Sequence, residues 1–154
     1  CAYRDQGMCD KVPKMMGWQA AGSAPIVDGA PVENPETLAT AIRIGNPASW
    51  DKALKAKQES KGNIDKVSDE EILEAYKMLS QREGIFCEPA SAASLAGLLK
   101  SVNHGLNLRN KTVVCVVTGS GLKDPDTALK YSDQFIEELS SDLQTVKKAL
   151  GAVI

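Results

Sequence analysis

Two short stretches hold the residues best suited to chemistry. Residues 118–128 read TGSGLKDPDTA and directly follow an apolar run, TVVCVV, at 112–117. Thr118 and Ser120 supply hydroxyls, while Gly119 and Gly121 allow backbone to approach a ligand closely. Glycine-rich turns ahead of helix N-termini suit anions, so a phosphate cradle is one reading of this loop. Neither GxGxxG nor GxxxxGKS/T is present, which argues against a nucleotide. A turn whose glycines only reverse the chain fits the loop alone equally well. The second stretch is CEPASA, where Glu88 follows the apolar Ile85, Phe86 and Cys87 and precedes Pro89 and a run of small residues. A carboxylate at the end of a buried segment is costly unless it faces solvent or a polar ligand. Standing alone, such a residue is more often on the surface.

Other chemistries have less support. The four cysteines (Cys1, Cys9, Cys87 and Cys115) form no CxxC pair and the chain has one histidine, which leaves no metal set. Cys87 and Cys115 are expected to pack as small hydrophobes and His104 to sit in a surface loop. Formal net charge is −2 with scattered lysines and arginines, so neither a nucleic-acid nor a membrane partner is indicated. No apolar stretch is long enough to span a bilayer, and CAYRDQGMCD lacks a signal-peptide core, so the cytoplasm is the expected location. The chain opens on Cys1 instead of methionine, and an apolar segment follows within twenty residues. It is therefore expected to begin inside a longer gene product.

The elements that must hold the two stretches follow from pattern and punctuation. With 154 residues, 43% of them hydrophobic, one domain with a real core is expected. Residues 14–20, KMMGWQA, suit a strand or a buried segment, with Trp18 in the core, and AGSAPIVDGAPVENP is a connector. A short helix is expected over 35–42, with Pro35 at its start and Glu36 in its first turn. Asn46 reads as the cap of a helix running from Pro47 to about Gln58, with Trp50, Ala53 and Leu54 on its apolar face and Trp50 in the core. In VSDEEILEAYKMLSQREG, Ser68 and Glu71 have capping-box spacing, Ile72, Tyr76 and Leu79 make a stripe, and Gly84 is a stop signal. A strand at 85–87, a helix of small residues to about Val102, a strand at 112–117 and a terminal helix over 133–150 complete the expectation. Alternating strands and helices indicate an α/β layer fold with a mostly parallel sheet flanked by helices. Ligands of such sheets lie beyond the carboxyl ends of the strands, where both chemical stretches fall.

ATAIRIGNPASW, EEILEAYKMLSQREGIFCEPASAASLAGL and VVCVVTGSGLKDPDTA, together with QAAGSAPIV upstream, resemble the C-terminal half of the threonine synthases. These are pyridoxal 5'-phosphate lyases of the tryptophan-synthase β-like family, fold type II. The resemblance covers most of residues 12–131, and its motifs stand in the family's order. It implies conversion of O-phosphohomoserine and water to threonine and phosphate, and a homodimeric parent enzyme. At the position of Thr118 the family gives a hydroxyl to the cofactor's pyridine nitrogen, Gly119 leaves room beside the ring, Glu88 lies near the cofactor, and Gly45 lies beside its face. Asn46 is expected to cap a helix and not to touch substrate. The resemblance also implies that residues 1–154 are one α/β piece of the large cofactor-binding domain. The Schiff-base lysine belongs to an upstream GSFKDRG-like motif, and a separate glycine- and asparagine-rich phosphate loop also lies upstream. Lys123 in LKDPD only echoes that motif, so no catalytic residue is assigned and the chain alone is expected to be inactive. Two alternatives stand beside this reading. One is a non-catalytic α/β module with a structural or oligomerisation role. The other is a related pyridoxal-phosphate dehydratase acting on serine or threonine, against which IRIGNPASW and TGSGLKDPDT favour the synthase.

Overall fold

A computed structural model describes residues 2–131, 141–149 and 151. Its sheet has two strands, β1 (Met16–Ala20) and β2 (Asn63–Val67), paired in parallel with Met16 opposite Asn63 and Ala20 opposite Val67. Parallel neighbours need a long crossover. Here it carries two helices, α2 (Pro25–Asp28) and α3 (Trp50–Ser60), with a 3-10 turn at Thr40–Ile42 between them. A single turn of helix, α1 (Ala2–Asp5), precedes the sheet. After β2 come α4 (Asp69–Glu83) and α5 (Pro89–Asn103), then a 3-10 turn at Gly121–Lys123, α6 (Pro125–Tyr131) and α7 (Leu143–Ala149). No helix among the described residues is long and apolar enough to cross a membrane.

The core lies where α5 packs against α4 and both strands. α4 starts as its sequence requires: Ser68 Oγ accepts from the Glu71 N–H (3.2 Å) and Glu71 Oε2 accepts from the Ser68 N–H (2.7 Å). Gly84 ends it at φ 66°, a left-handed conformation that costs glycine little. The helix buries Ile72, Ala75, Tyr76 and Leu79. Full burial of an Ile72-sized side chain stabilises by roughly 1.5–3 kcal/mol. α5 buries Ala92, Ala93, Ala96 and Gly97, and its small residues are what let it lie so close to the sheet. A Cβ on Gly97 would stand 2.0 Å from the Trp18 indole. Cys87 is buried and Cys115 half-buried, as expected of small hydrophobes.

Several local expectations give way to tertiary contacts. Residues 35–39 are not helical, because their donors are committed elsewhere. The Glu36 N–H goes to the Gly22 carbonyl (3.0 Å), the Leu38 N–H to Asp69 Oδ2 (2.9 Å), and the Ala39 N–H to Thr37 Oγ1 (3.1 Å). Only Thr40–Ile42 coils, as a 3-10 turn. α3 starts at Trp50 with Ser49 in the cap position, so Asn46 does not cap it, and Trp50 is half-buried, not a core residue. β2 was absent from the sequence expectation. Its residues, NIDKV, are mostly polar, and its pairing is decided by a partner far upstream. Residues 112–117 and 85–87 form no named strand, the latter making only a Cys87 to Ser120 bridge. Of the expected terminal helix, residues 141–142 are not helical and α7 begins at Leu143, with Asp142 Oδ2 accepting from the Thr145 N–H (2.9 Å). The earlier part of that expectation, residues 133–140, lies outside the described residues.

Candidate functional site

The two stretches singled out in sequence meet at the start of α5. Glu88 stands at its N-cap position in extended conformation (φ −70°, ψ 155°), and Pro89 fills the first turn where no amide hydrogen is needed. Backbone bonds then fasten the second stretch alongside. The Glu88 N–H donates to the Gly119 carbonyl (3.0 Å) and the Gly121 N–H to the Phe86 carbonyl (3.2 Å), on either side of the Cys87 to Ser120 bridge. Residues 86–88 and 119–121 are therefore held together by main chain alone.

Ser91, one turn into α5, completes the junction. Its Oγ accepts from the Gly119 N–H (2.9 Å), lies 3.0 Å from Thr118 Oγ1, and reaches the Gly119 carbonyl at 3.3 Å. Ser91 is 1% exposed, whereas Thr118 is an exposed residue, so the Thr118 hydroxyl is backed by a buried one. Glu88 is 7% exposed. Its carboxylate occupies the space where a side chain on residue 119 would begin: a Cβ there would stand 2.3 Å from Oε1. A side chain at 119 would therefore have to displace the Glu88 carboxylate. Burial pushes the Cys87 thiol above its ordinary value, and the neighbouring Glu88 charge pushes the same way, so Cys87 stays protonated at neutral pH.

Ser120 and Asp124 shape the rest of the loop. Ser120 Oγ accepts from the Leu122 N–H (3.3 Å) at the start of the 3-10 turn. Asp124 accepts from the Thr127 N–H (3.1 Å) and hydroxyl (3.0 Å), capping α6. Lys123, between them, is exposed.

Thr118, Gly119 and Glu88 come together; Gly45 stands outside their hydrogen-bonded group. Its carbonyl accepts from the Val32 N–H (2.9 Å), and a Cβ on it would stand 1.9 Å from the Val32 carbonyl oxygen. Close backbone approach therefore accounts for glycine at 45. A depression of about 200 Å³ is lined by residues on both sides of it, Ile44 and Pro47 among them, with Trp18 and Gln19 from β1. A separate cavity of about 390 Å³, between Tyr3, Met15, Ala56 and Ser60, contains none of the site residues. Among the described residues no cluster of three or more His, Cys, Asp or Glu side chains is placed to hold a metal.

A family model described as pyridoxal-phosphate dependent enzyme matches residues 2–119. The chain belongs to this family. A threonine synthase from Synechocystis is 57% identical over 152 residues, which is 98% of this chain and 39% of that protein. One from Mycobacterium bovis is 62% identical over 128 residues, covering 83% of this chain and 36% of that protein. The chain thus spans well under half the length of these relatives. Among solved structures, maize serine racemase superposes with a TM-score of 0.58 at 17% identity, over 76% of this chain and 37% of the racemase. That likeness supports the α/β fold. Ser91 is the site residue that sequence reasoning missed. It was one serine in an Ala/Ser-rich helix, and its spacing of 27 residues from Thr118 carries no local signal.

Proposed function

We propose that the full-length protein carrying this chain is a threonine synthase, a pyridoxal-phosphate lyase that converts O-phosphohomoserine and water to threonine and phosphate. The observation that carries the reading is the junction of the CEPAS and TGSG stretches. It presents the exposed Thr118, backed by Ser91, on a backbone fastened by Glu88, in a chain 57% identical to a named synthase.

The residues present fit the cofactor. When bound, pyridoxal phosphate supplies a conjugated pyridine ring that accepts electrons from the substrate's carbon skeleton. Thr118 would offer its hydroxyl to the pyridine nitrogen. A neutral hydroxyl partner leaves that nitrogen unprotonated, where a carboxylate would favour the pyridinium and a stronger electron sink. Gly119 would lie beside the ring edge with its backbone fixed. Glu88 would stand behind Gly119, and its buried carboxylate would set the local charge. Gly45 would border the cofactor's face from the loop after the Thr40–Ile42 turn. The lysine that holds the cofactor covalently and the loop that binds its phosphate are assigned to a region upstream of these residues. The chain itself is then one portion of the large cofactor-binding domain of a fold-type-II enzyme. We extend the reading to a cytoplasmic homodimer with no nucleic-acid or membrane partner, in keeping with a net charge of −2.

The test uses the full-length protein. Titration with pyridoxal phosphate, followed by absorbance, should show saturable binding. O-phosphohomoserine should then give phosphate and threonine in equal amounts. Release of a keto acid and ammonia from serine or threonine, with no phosphate from O-phosphohomoserine, would instead mark a dehydratase and overturn the proposal.

A further inference from the structure

Ser91 has a proton to place, and its surroundings leave one good position for it. A serine hydroxyl has one hydrogen and two lone pairs. The Gly119 N–H can only donate, so at 2.9 Å it takes one lone pair of Ser91 Oγ. Two acceptors then compete for the Ser91 proton, Thr118 Oγ1 at 3.0 Å and the Gly119 carbonyl at 3.3 Å. That carbonyl already accepts from the Glu88 N–H at 3.0 Å. Thr118 Oγ1 has no other hydrogen-bond partner among the described residues. The Gly119 carbonyl keeps a second lone pair, so distance decides, and Thr118 Oγ1 is the nearer acceptor. If Ser91 donates to Thr118 Oγ1, the proton of Thr118 cannot point back at Ser91 and turns toward the exposed side.

We propose that Ser91 is a positioning residue that sets the hydrogen-bond polarity of Thr118, making its hydroxyl a donor toward an unprotonated pyridine nitrogen of the cofactor. The inference rests on the assignment of Thr118 under the proposed function and adds the group that decides which way its proton faces. Burial of Ser91 behind Thr118 keeps solvent from competing for the lone pair that Ser91 engages. The Gly119 N–H, held by the same oxygen, ties this polarity to the loop's backbone position.

The experiment is a double-mutant cycle in the full-length holoenzyme, using cofactor labelled with nitrogen-15 at the pyridine position. Wild type should show an unprotonated, hydrogen-bonded nitrogen. Ser91→Ala should weaken cofactor binding by about threefold to tenfold, the range of one hydrogen bond, and move the nitrogen resonance toward the free, unbonded value. In a Thr118→Val background the same Ser91→Ala change should leave both readouts unmoved, because the group it orients is gone. Equal effects of Ser91→Ala in both backgrounds would mean that Ser91 acts only through the Gly119 backbone, and would overturn the proposal. A pyridinium resonance in wild type would overturn it too, whether or not any variant folds, since Thr118 would then be the acceptor. A wild-type protein that binds no pyridoxal phosphate would sink the functional reading itself, and this inference with it.

Discussion

At the scale of single residues, the proposed site depends on a hydroxyl backed by a buried one. Thr118 has that arrangement, with buried Ser91 3.0 Å behind it. Replacing it by valine keeps the shape and removes the donor. In the full-length protein, Thr118→Val should lower turnover about tenfold or more, at least roughly 1.4 kcal/mol, and weaken cofactor binding. Steady-state kinetics with O-phosphohomoserine and a cofactor titration check it; wild-type values in both would remove Thr118 from the site. The two loops that carry Thr118, Gly119 and Glu88 stood out in the sequence because glycine and proline mark them, and the structure joins them. The reason for Gly119 was not legible. The expectation was room beside a ring, and the structure fills the place of its missing side chain with the Glu88 carboxylate. Ser91 was hidden for a related reason. A serine among alanines looks like a small packing residue until the fold brings Thr118 and Gly119 to it.

At the scale of elements, what could be read from sequence was what local chemistry alone decides. α4 is the clearest case, since its cap, stripe and stop all lie within one continuous stretch. Ser68→Ala should therefore cost about 1 kcal/mol of stability, read as a lower midpoint in chemical denaturation with an unchanged slope. An unchanged midpoint would mean that the capping box adds nothing measurable. α5 was expected to allow close approach through its small residues, and Gly97 against Trp18 is where that happens. Gly97→Ala sets two effects against each other. Alanine is favoured over glycine in a helix by up to about 1 kcal/mol, but its methyl must displace the indole at the centre of the α5 to β1 contact. Because the obstacle is a ring and not a flexible chain end, the clash should win, with a net loss of roughly 1–3 kcal/mol and a changed Trp18 fluorescence. A more stable variant would show that β1 and α5 can separate freely. The elements that went unread are those set by distant partners. Glu36 and Leu38 give their amide hydrogens to Gly22 and Asp69, and β2 takes its register from β1.

At the scale of the whole molecule, the run at 112–117 is apolar enough to be a buried strand, yet Val114 and Val116 are 80% and 64% exposed and the described sheet ends at two strands. A strand exists only with a neighbour to accept its hydrogen bonds, and sequence alone does not supply one. The groups that are sheltered impose a pH limit instead. Burial raises the thiols of Cys87 and Cys115 above their ordinary value of 9.0. It also raises the Tyr76 hydroxyl above 10.0, with the Cys87 and Asp124 charges adding to the shift. In each case the folded state prefers the neutral, protonated form. Their contribution to stability is complete below the unfolded values, near pH 9 for the thiols, and is lost as pH rises from there through the raised folded values. Once unfolded thiols ionise and folded ones do not, each such group should steepen the loss by at most about 1.4 kcal/mol per pH unit. Urea midpoints measured from pH 7 to 10.5 should be flat at first and then fall above about pH 9. Lysines also begin to titrate in the upper part of that range, so the control is a Cys87→Ala, Cys115→Ala variant. It is less stable at pH 7 through lost packing, but its midpoint should decline less steeply between pH 8.5 and 10. If wild type and the double variant lose stability in parallel over that interval, the buried thiols do not set the alkaline limit.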